Sequence, residues 1–281
     1  MNTLSTTLSS TEQQPSYVLG HSNREFERLI QQSRFYGELT EEILRKAGVK
    51  SGMAVLDIGC GPGDVALLAA HLVGPTGSVL GIDKSPDAIQ TACQRVAQAG
   101  LTNVHFQVAD LHSFQPVARV DALVGRFVLL YLPDPAAVLR RLSAYVRPGG
   151  VIALHEMDMS SVRSNPRLPL FETMIEWILE TYRRAKLEID MGCKLYPTFV
   201  AAGLPAPQMH LAARLGAGSD LFVPTYLAQT IRSLLPTMEK LGVASVADVQ
   251  IDTLAERMSQ EMVERQGVMI MPSLIGAWTT I

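Results

Sequence analysis

An α/β fold built on a doubly wound, mostly parallel sheet is what three features of this 281-residue sequence predict. Val55-Leu-Asp-Ile-Gly-Cys-Gly-Pro-Gly63 reads as a buried strand running into a glycine turn and a helix start. Gly81-Ile-Asp83, about twenty residues further on, reads as a second strand closed by an acid. Downstream, apolar runs of strand length alternate with stretches of helical spacing, which implies right-handed βαβ units.

Residues 1–16 are rich in Ser, Thr and Gln and lack both the basic start and the apolar block of a secretion signal. They read as a disordered tail. Residues 17–50 read as N-terminal helices. Phe26, Leu29 and Ile30, then Leu39, Ile43 and Leu44, are helically spaced, with an interruption near Tyr36-Gly37 that predicts two helices rather than one. Residues 51–160 carry the core, with strands expected at 52–58, 77–83, 104–108, 120–124 and 151–154. Helices are expected at 64–72, 86–99 and 135–146. Ser85 is a natural N-cap followed by Pro86 at the first helical position, and Arg147-Pro-Gly-Gly150 is a stop. Residues 161–281 read as a helical cap plus the last two strands. Helices are expected at 169–186 and 196–202, and about fifty residues of helix across 224–265. A sixth strand falls at 208–214 and a seventh within 268–278.

Composition narrows the function. Hydrophobic residues make up 47% of the chain and charged residues 18%, which suits a large buried core. The net charge of −3, without a dense Lys/Arg run, argues against a nucleic-acid surface. Cys60, Cys93 and Cys193 are too few and too scattered for a disulfide framework or a zinc site. There is no His-x-x-x-His, and Asp158, Glu188 and Asp190 are dispersed in sequence, so no metal site is expected. A reducing cytoplasm is the expected location, and no apolar run has the length of a bilayer span.

The turn selects the ligand. A dinucleotide fingerprint is Gly-x-Gly-x-x-Gly, whereas Gly59, Gly61 and Gly63 form Gly-x-Gly-x-Gly with Pro62 inside. Asp57, two residues before the first glycine, would repel a pyrophosphate and favour an ammonium group. S-adenosylmethionine (SAM) has an α-ammonium, a ribose diol, an adenine and no phosphate. Asp83 is placed to accept from the ribose hydroxyls, and Asp110, at the end of Val104-His-Phe-Gln-Val-Ala-Asp110, from the adenine amino group.

With these residues in order, the chain resembles the class I, seven-stranded, SAM-dependent methyltransferases, in particular the small-molecule group related to quinone-ring methyltransferases. The likeness is carried by Val55 to Gly63, Gly81-Ile-Asp83, Ala109-Asp110-Leu111, Gly125-Arg-Phe-Val-Leu-Leu-Tyr-Leu132 and Val146-Arg-Pro-Gly-Gly150. It implies a Rossmann-like, mostly parallel seven-stranded sheet whose last two strands form a close hairpin. Here a long connection separates those strands, which predicts an inserted cap over the active site.

The resemblance implies SAM as cofactor and S-adenosylhomocysteine as product. Asp57, Gly59, Cys60, Gly61 and Gly63 would hold the amino-acid portion, Asp83 the ribose, and Lys84, Ala109, Asp110 and Leu111 the adenine. Arg126, expected just after the fourth strand, would present its backbone to the methionine portion. Tyr17, His21 and Arg28 are further cofactor candidates from the N-terminal segment. His155 and Glu156 are candidate general bases, with Asp158 beside them, because they follow the fifth strand at the ligand-binding edge of such a sheet. Alternation allows only one of His155 and Glu156 to face the pocket. Tyr131 is a candidate for substrate contact, and His210 reads as structural.

A Met- and aromatic-rich cap suits an apolar small-molecule acceptor methylated at O, N or C. The competing reading keeps the fold and SAM but has a non-methylating step, a cyclisation or pericyclic rearrangement in natural-product biosynthesis. A dehydrogenase is disfavoured by Asp57 and the glycine spacing, and a non-catalytic binding module by the full set of motifs. The apolar cap helices could also pair two copies as a homodimer.

Overall fold

The computed structural model describes residues 23–281. In chain order these form α1 (Asn23–Lys46), β1 (Ala54–Ile58), α2 (Asp64–Val73), β2 (Ser78–Asp83), α3 (Pro86–Gln98), β3 (Val104–Val108), β4 (Val120–Arg126), α4 (Pro135–Ser143) and β5 (Val146–Asp158). There follow β6 (Arg163–Asn165), α5 (Pro169–Arg184), α6 (Met191–Ala201), β7 (Gln208–Ala212), β8 (Leu215–Ala217), α7 (Phe222–Lys240), α8 (Val246–Val249), α9 (Leu254–Glu264), β9 (Val268–Ile270) and β10 (Ser273–Thr280).

A seven-stranded sheet runs β3-β2-β1-β4-β5-β10-β7. The strands from β3 to β5 are parallel, and β10 lies antiparallel between β5 and β7. β1 and β4 are buried along nearly their whole length, as expected of strands covered on both faces. α2 and α3 pack against one apolar cluster and α4 and α6 against the other, while α1 gives Leu44 to the first and Phe35, Tyr36 and Ile43 to the second. The order reverses between β1 and β4, so Ile58, Asp83 and Arg126 end neighbouring strands at one edge. Ligands bind at that edge in open α/β sheets. Over it stand α5, α7 and α9, beside a second sheet of order β6-β9-β8.

The structure departs from the sequence-based expectation where tertiary packing overrides local signals. α1 is one helix, not two. Gly37 lies in its interior, and burial of Phe35, Tyr36, Thr40 and Ile43 outweighs the cost of about 1 kcal/mol for a helical glycine. α6 begins at Met191, so Pro197 sits inside it. The proline removes one donor, the one that would reach the Cys193 carbonyl, and the helix continues. β5 runs past Arg147-Pro-Gly-Gly150, with a register shift opposite Val120 and Ala122 accommodating that stretch. The 224–265 stretch divides into three helices, with left-handed Gly242 and Gln250 at the breaks. The 268–278 stretch splits at Met271-Pro272. Pro272 has no N–H for a ladder, and the chain passes there from the small sheet to the large one. The long connection expected between the last two strands of the main sheet is present, joining β7 to β10.

Candidate active site

The glycine turn between β1 and α2 is held from two sides. The Gly61 N–H donates to Asp83 Oδ2 at 3.0 Å, and the Ser85 N–H to Asp83 Oδ1 at 2.9 Å. From α3, Arg95 donates from Nη1 to the Pro62 carbonyl at 2.6 Å and pairs with Asp64 Oδ1 at 2.7 Å. Gly63 caps α2 at φ 87°, where a Cβ would stand 2.9 Å from Phe106 Cζ. Both Asp83 oxygens are therefore oriented by backbone donors, and each keeps acceptor capacity toward the cavity that the residue lines. That arrangement fits a ribose diol.

One cavity opens at this edge. Its sheet side is formed by Gly59, Cys60, Gly61, Asp83, Lys84, Ala109, Asp110, Leu111 and Arg126, so these predicted cofactor residues are brought together. Asp110 accepts from the His112 N–H at 2.7 Å and from its ring at 3.0 Å, which holds its carboxyl below the usual range. Arg141 of α4 donates to the carbonyls of Leu111 and Phe114 and fixes that turn. Tyr17 and His21 lie outside the described residues, as do the predicted tail and the Arg28 side chain.

Asp57 is not among the residues that line the cavity. It is fully buried, lies behind the cavity wall, and neither carboxylate oxygen has a partner of hydrogen-bond geometry among the described residues. Burial drives its pKa well up, opposed by Arg126 and the Ala66 N–H. Asp64, the first residue of α2, which the sequence marked only as a helix start, does line the cavity. Gly63 likewise shapes the turn from behind the wall.

Arg126 also sits differently from expectation. It is the last residue of β4, in register with His155, and its side chain is buried. It donates from Nη1 to Thr40 Oγ1 at 3.0 Å and places Nη2 3.7 Å from Asp64 Oδ2. Burial lowers its pKa, and Asp64 and Asp57 counter the effect.

Of the three catalytic candidates, Tyr131, in the short turn of 3₁₀ helix Leu129–Tyr131, lines the cavity. His155 and Glu156 do not, because both lie within β5, closed in by neighbouring elements. Burial and the charge of Arg126 push His155 down to about 3, the Gly125 backbone only partly offsetting this, and neither ring nitrogen has a partner of hydrogen-bond geometry. Burial pushes Glu156 up to about 8, against hydrogen bonds accepted by Oε1 from Val128 N at 2.9 Å and Leu129 N at 2.7 Å. Glu156 thus supports the turn that carries Tyr131. Asp158 accepts from Ser160 N at 3.0 Å and Ser160 Oγ at 2.6 Å. His210 packs toward α1, 3.3 Å from Glu42 Oε1.

The opposite side of the cavity is mostly apolar, with Met157, Met159, Ile175, Ile178, Leu227 and Met271. Its polar residues include Gln32 and Tyr36 of α1 and Tyr226 of α7, none of which the sequence had marked as a site residue. Gln32 and Tyr36 are four apart, so they share one helix face. That spacing was the available signal. Gln32 Nε2 donates to Tyr226 Oη at 3.4 Å, and the rings of Tyr36 and Tyr226 meet edge to face at 6.1 Å.

Comparison with known proteins agrees with this geometry. A family model described as a methyltransferase domain matches residues 49–201. Trans-aconitate 2-methyltransferase of Methylobacterium radiotolerans is 35% identical over 130 residues, covering 45% of this chain and 47% of that protein. Aklanonic acid methyltransferase of a Streptomyces species is 31% identical over 146 residues, covering 52% of this chain and 66% of that protein. The matches thus span roughly half to two thirds of these relatives' length. The YcgJ protein of Bacillus subtilis shares the fold with a TM-score of 0.55 at 17% identity, over 87% of this chain and 99% of that one. The family match and the seven-stranded sheet lead to one conclusion: the chain belongs to the class I SAM-dependent methyltransferase family.

Proposed function

We propose that the protein transfers the methyl group of SAM to a small, largely apolar acceptor. The observation that carries this reading is that one continuous cavity has both walls. The sheet edge, with Asp83 and the glycine turn, faces an apolar surface from the cap, and the two meet around Arg126 and Tyr131. SAM supplies an electrophilic methyl on a sulfonium leaving group. The chain's own part is positioning and exclusion of water. Asp83 orients the ribose, the turn from Gly59 to Gly61 cradles the amino-acid portion, and Ala109 to Leu111 flank the adenine. Met157, Met159 and Ile178 close the acceptor side to solvent. Relatives named for trans-aconitate and aklanonic acid, both small organic molecules, support an acceptor of that size.

Calorimetric titration with SAM and S-adenosylhomocysteine tests the reading, wild type beside Asp83→Ala. Micromolar binding, lost in the variant, is expected. Turnover should release one S-adenosylhomocysteine per methylated product. Product formed without S-adenosylhomocysteine would establish the non-methylating alternative instead.

A further inference from the structure

Three hydrogen-bond donors on the acceptor side of the cavity lie together. Gln32, Tyr36 and Tyr226 converge there, beside the buried guanidinium of Arg126. Tyr36 is fully enclosed, its ring edge-to-face with Phe127 at 5.3 Å and with Tyr226 at 6.1 Å. Arg126 Cζ lies 5.7 Å over the other side of this cluster, on the Phe127 ring. Tyr226 is fixed in turn by stacking on Phe35 at 4.2 Å. The remaining surface on this side is mostly apolar, with Tyr131, Tyr182 and Thr230 as its other polar side chains.

We propose that Gln32, Tyr36 and Tyr226 form a recognition point for an ionised oxygen, so that the acceptor is a small, largely apolar organic acid. The proposal rests on the methyltransferase reading above and narrows it. Converging N–H and O–H donors in a desolvated site favour an anion over a cationic amine. Burial and the contact with Tyr226 hold the Tyr36 hydroxyl well above its usual pKa, so it acts as a donor and not as a base. The acids and the histidine that line the cavity, Asp64, Asp83, Asp110 and His112, come from the turns and helix start at the sheet edge. An acceptor oxygen that arrives ionised has no proton to lose, so it needs none of them.

The test uses the full chain saturated with S-adenosylhomocysteine. Trans-cinnamate, naphthoate and anthracenecarboxylate are titrated, each beside its neutral carboxamide and the matching primary amine. The tightest carboxylate is expected to bind roughly tenfold better than its amide, with the amine weakest, the scale set by a charge-assisted hydrogen bond. Tyr36→Phe, Tyr226→Phe and Gln32→Leu should each shrink that acid-to-amide ratio, lowering carboxylate affinity more than amide affinity, with S-adenosylhomocysteine binding unchanged. A purely structural role would lower all three together. An amide or amine that binds as well as its acid, no binding by any carboxylate, or an unaltered ratio in the variants would overturn the proposal. Failure of S-adenosylhomocysteine itself to bind would instead overturn the cofactor reading.

Discussion

Arg126 of β4 reaches across the sheet edge and donates to the hydroxyl of Thr40 in α1 at 3.0 Å, with both residues buried. The bond ties the N-terminal helix, which brings Gln32 and Tyr36 to the cavity, to a strand end on the cavity's sheet side. Thr40→Val keeps the shape and leaves a charged donor unpaired. A loss of about 1–3 kcal/mol in urea unfolding is expected. Thr40→Ser, which retains the acceptor oxygen, should recover most of it.

A second prediction concerns the closest approach in the cofactor turn. Gly59 has φ 59°, and a Cβ there would stand 2.6 Å from Val128 Cγ2. Gly59→Ala therefore combines a left-handed alanine, about 1–2 kcal/mol, with a methyl–methyl collision, about 1–3 kcal/mol. S-adenosylhomocysteine affinity should fall by roughly tenfold or more, given the factor of ten per 1.4 kcal/mol. Adding Val128→Ala removes the collision and leaves the dihedral cost. The double variant should bind better than the single one and worse than wild type by calorimetry.

What could be read from the sequence followed the range of the interactions. The strand–turn–helix of Val55 to Gly63 and the acid at Asp83 are fixed by local backbone geometry, so β1, β2 and most of the cavity's sheet side were legible. That Asp64 lines the cavity while Asp57 is enclosed was not legible, because the path of the strand and turn between them decides which one faces it. His155 and Glu156 were placed at the right edge of the sheet. Their enclosure depends on β10 and on the turn after β4, and neither is a local property. The Gln32–Tyr226 pair spans 194 positions, and only the packing of α1 on α7 creates it.

His155 makes a prediction about the acid limb of stability. Its folded pKa is about 3 against an ordinary 6.5, so the fold holds the ring neutral. Unfolding below pH 6.5 lets it take up a proton. Its contribution is complete above that pH and is lost as pH falls toward 3, at up to about 1.4 kcal/mol per unit. His155→Leu removes the titration along with two buried unpaired nitrogens. Thermal unfolding at pH 7 and pH 5 should show a smaller drop on acidification for the variant than for wild type.

Glu156, the next residue along β5, has the opposite sign. Its folded pKa is raised to about 8 from an ordinary 4.5, mainly by burial. The fold therefore favours the protonated carboxyl. Its contribution is complete below pH 4.5 and declines as pH rises through 8, because the unfolded chain ionises first. Glu156→Gln keeps an acceptor oxygen for the N–H groups of Val128 and Leu129 but cannot ionise. At pH 5 the two proteins should unfold at similar temperatures, and at pH 8.5 the variant should unfold higher. The same comparison separates support from chemistry. With Glu156 enclosed away from the cavity, turnover by Glu156→Gln near neutrality should stay within a few-fold of wild type, whereas a general base replaced by an amide costs about 10²–10⁴-fold.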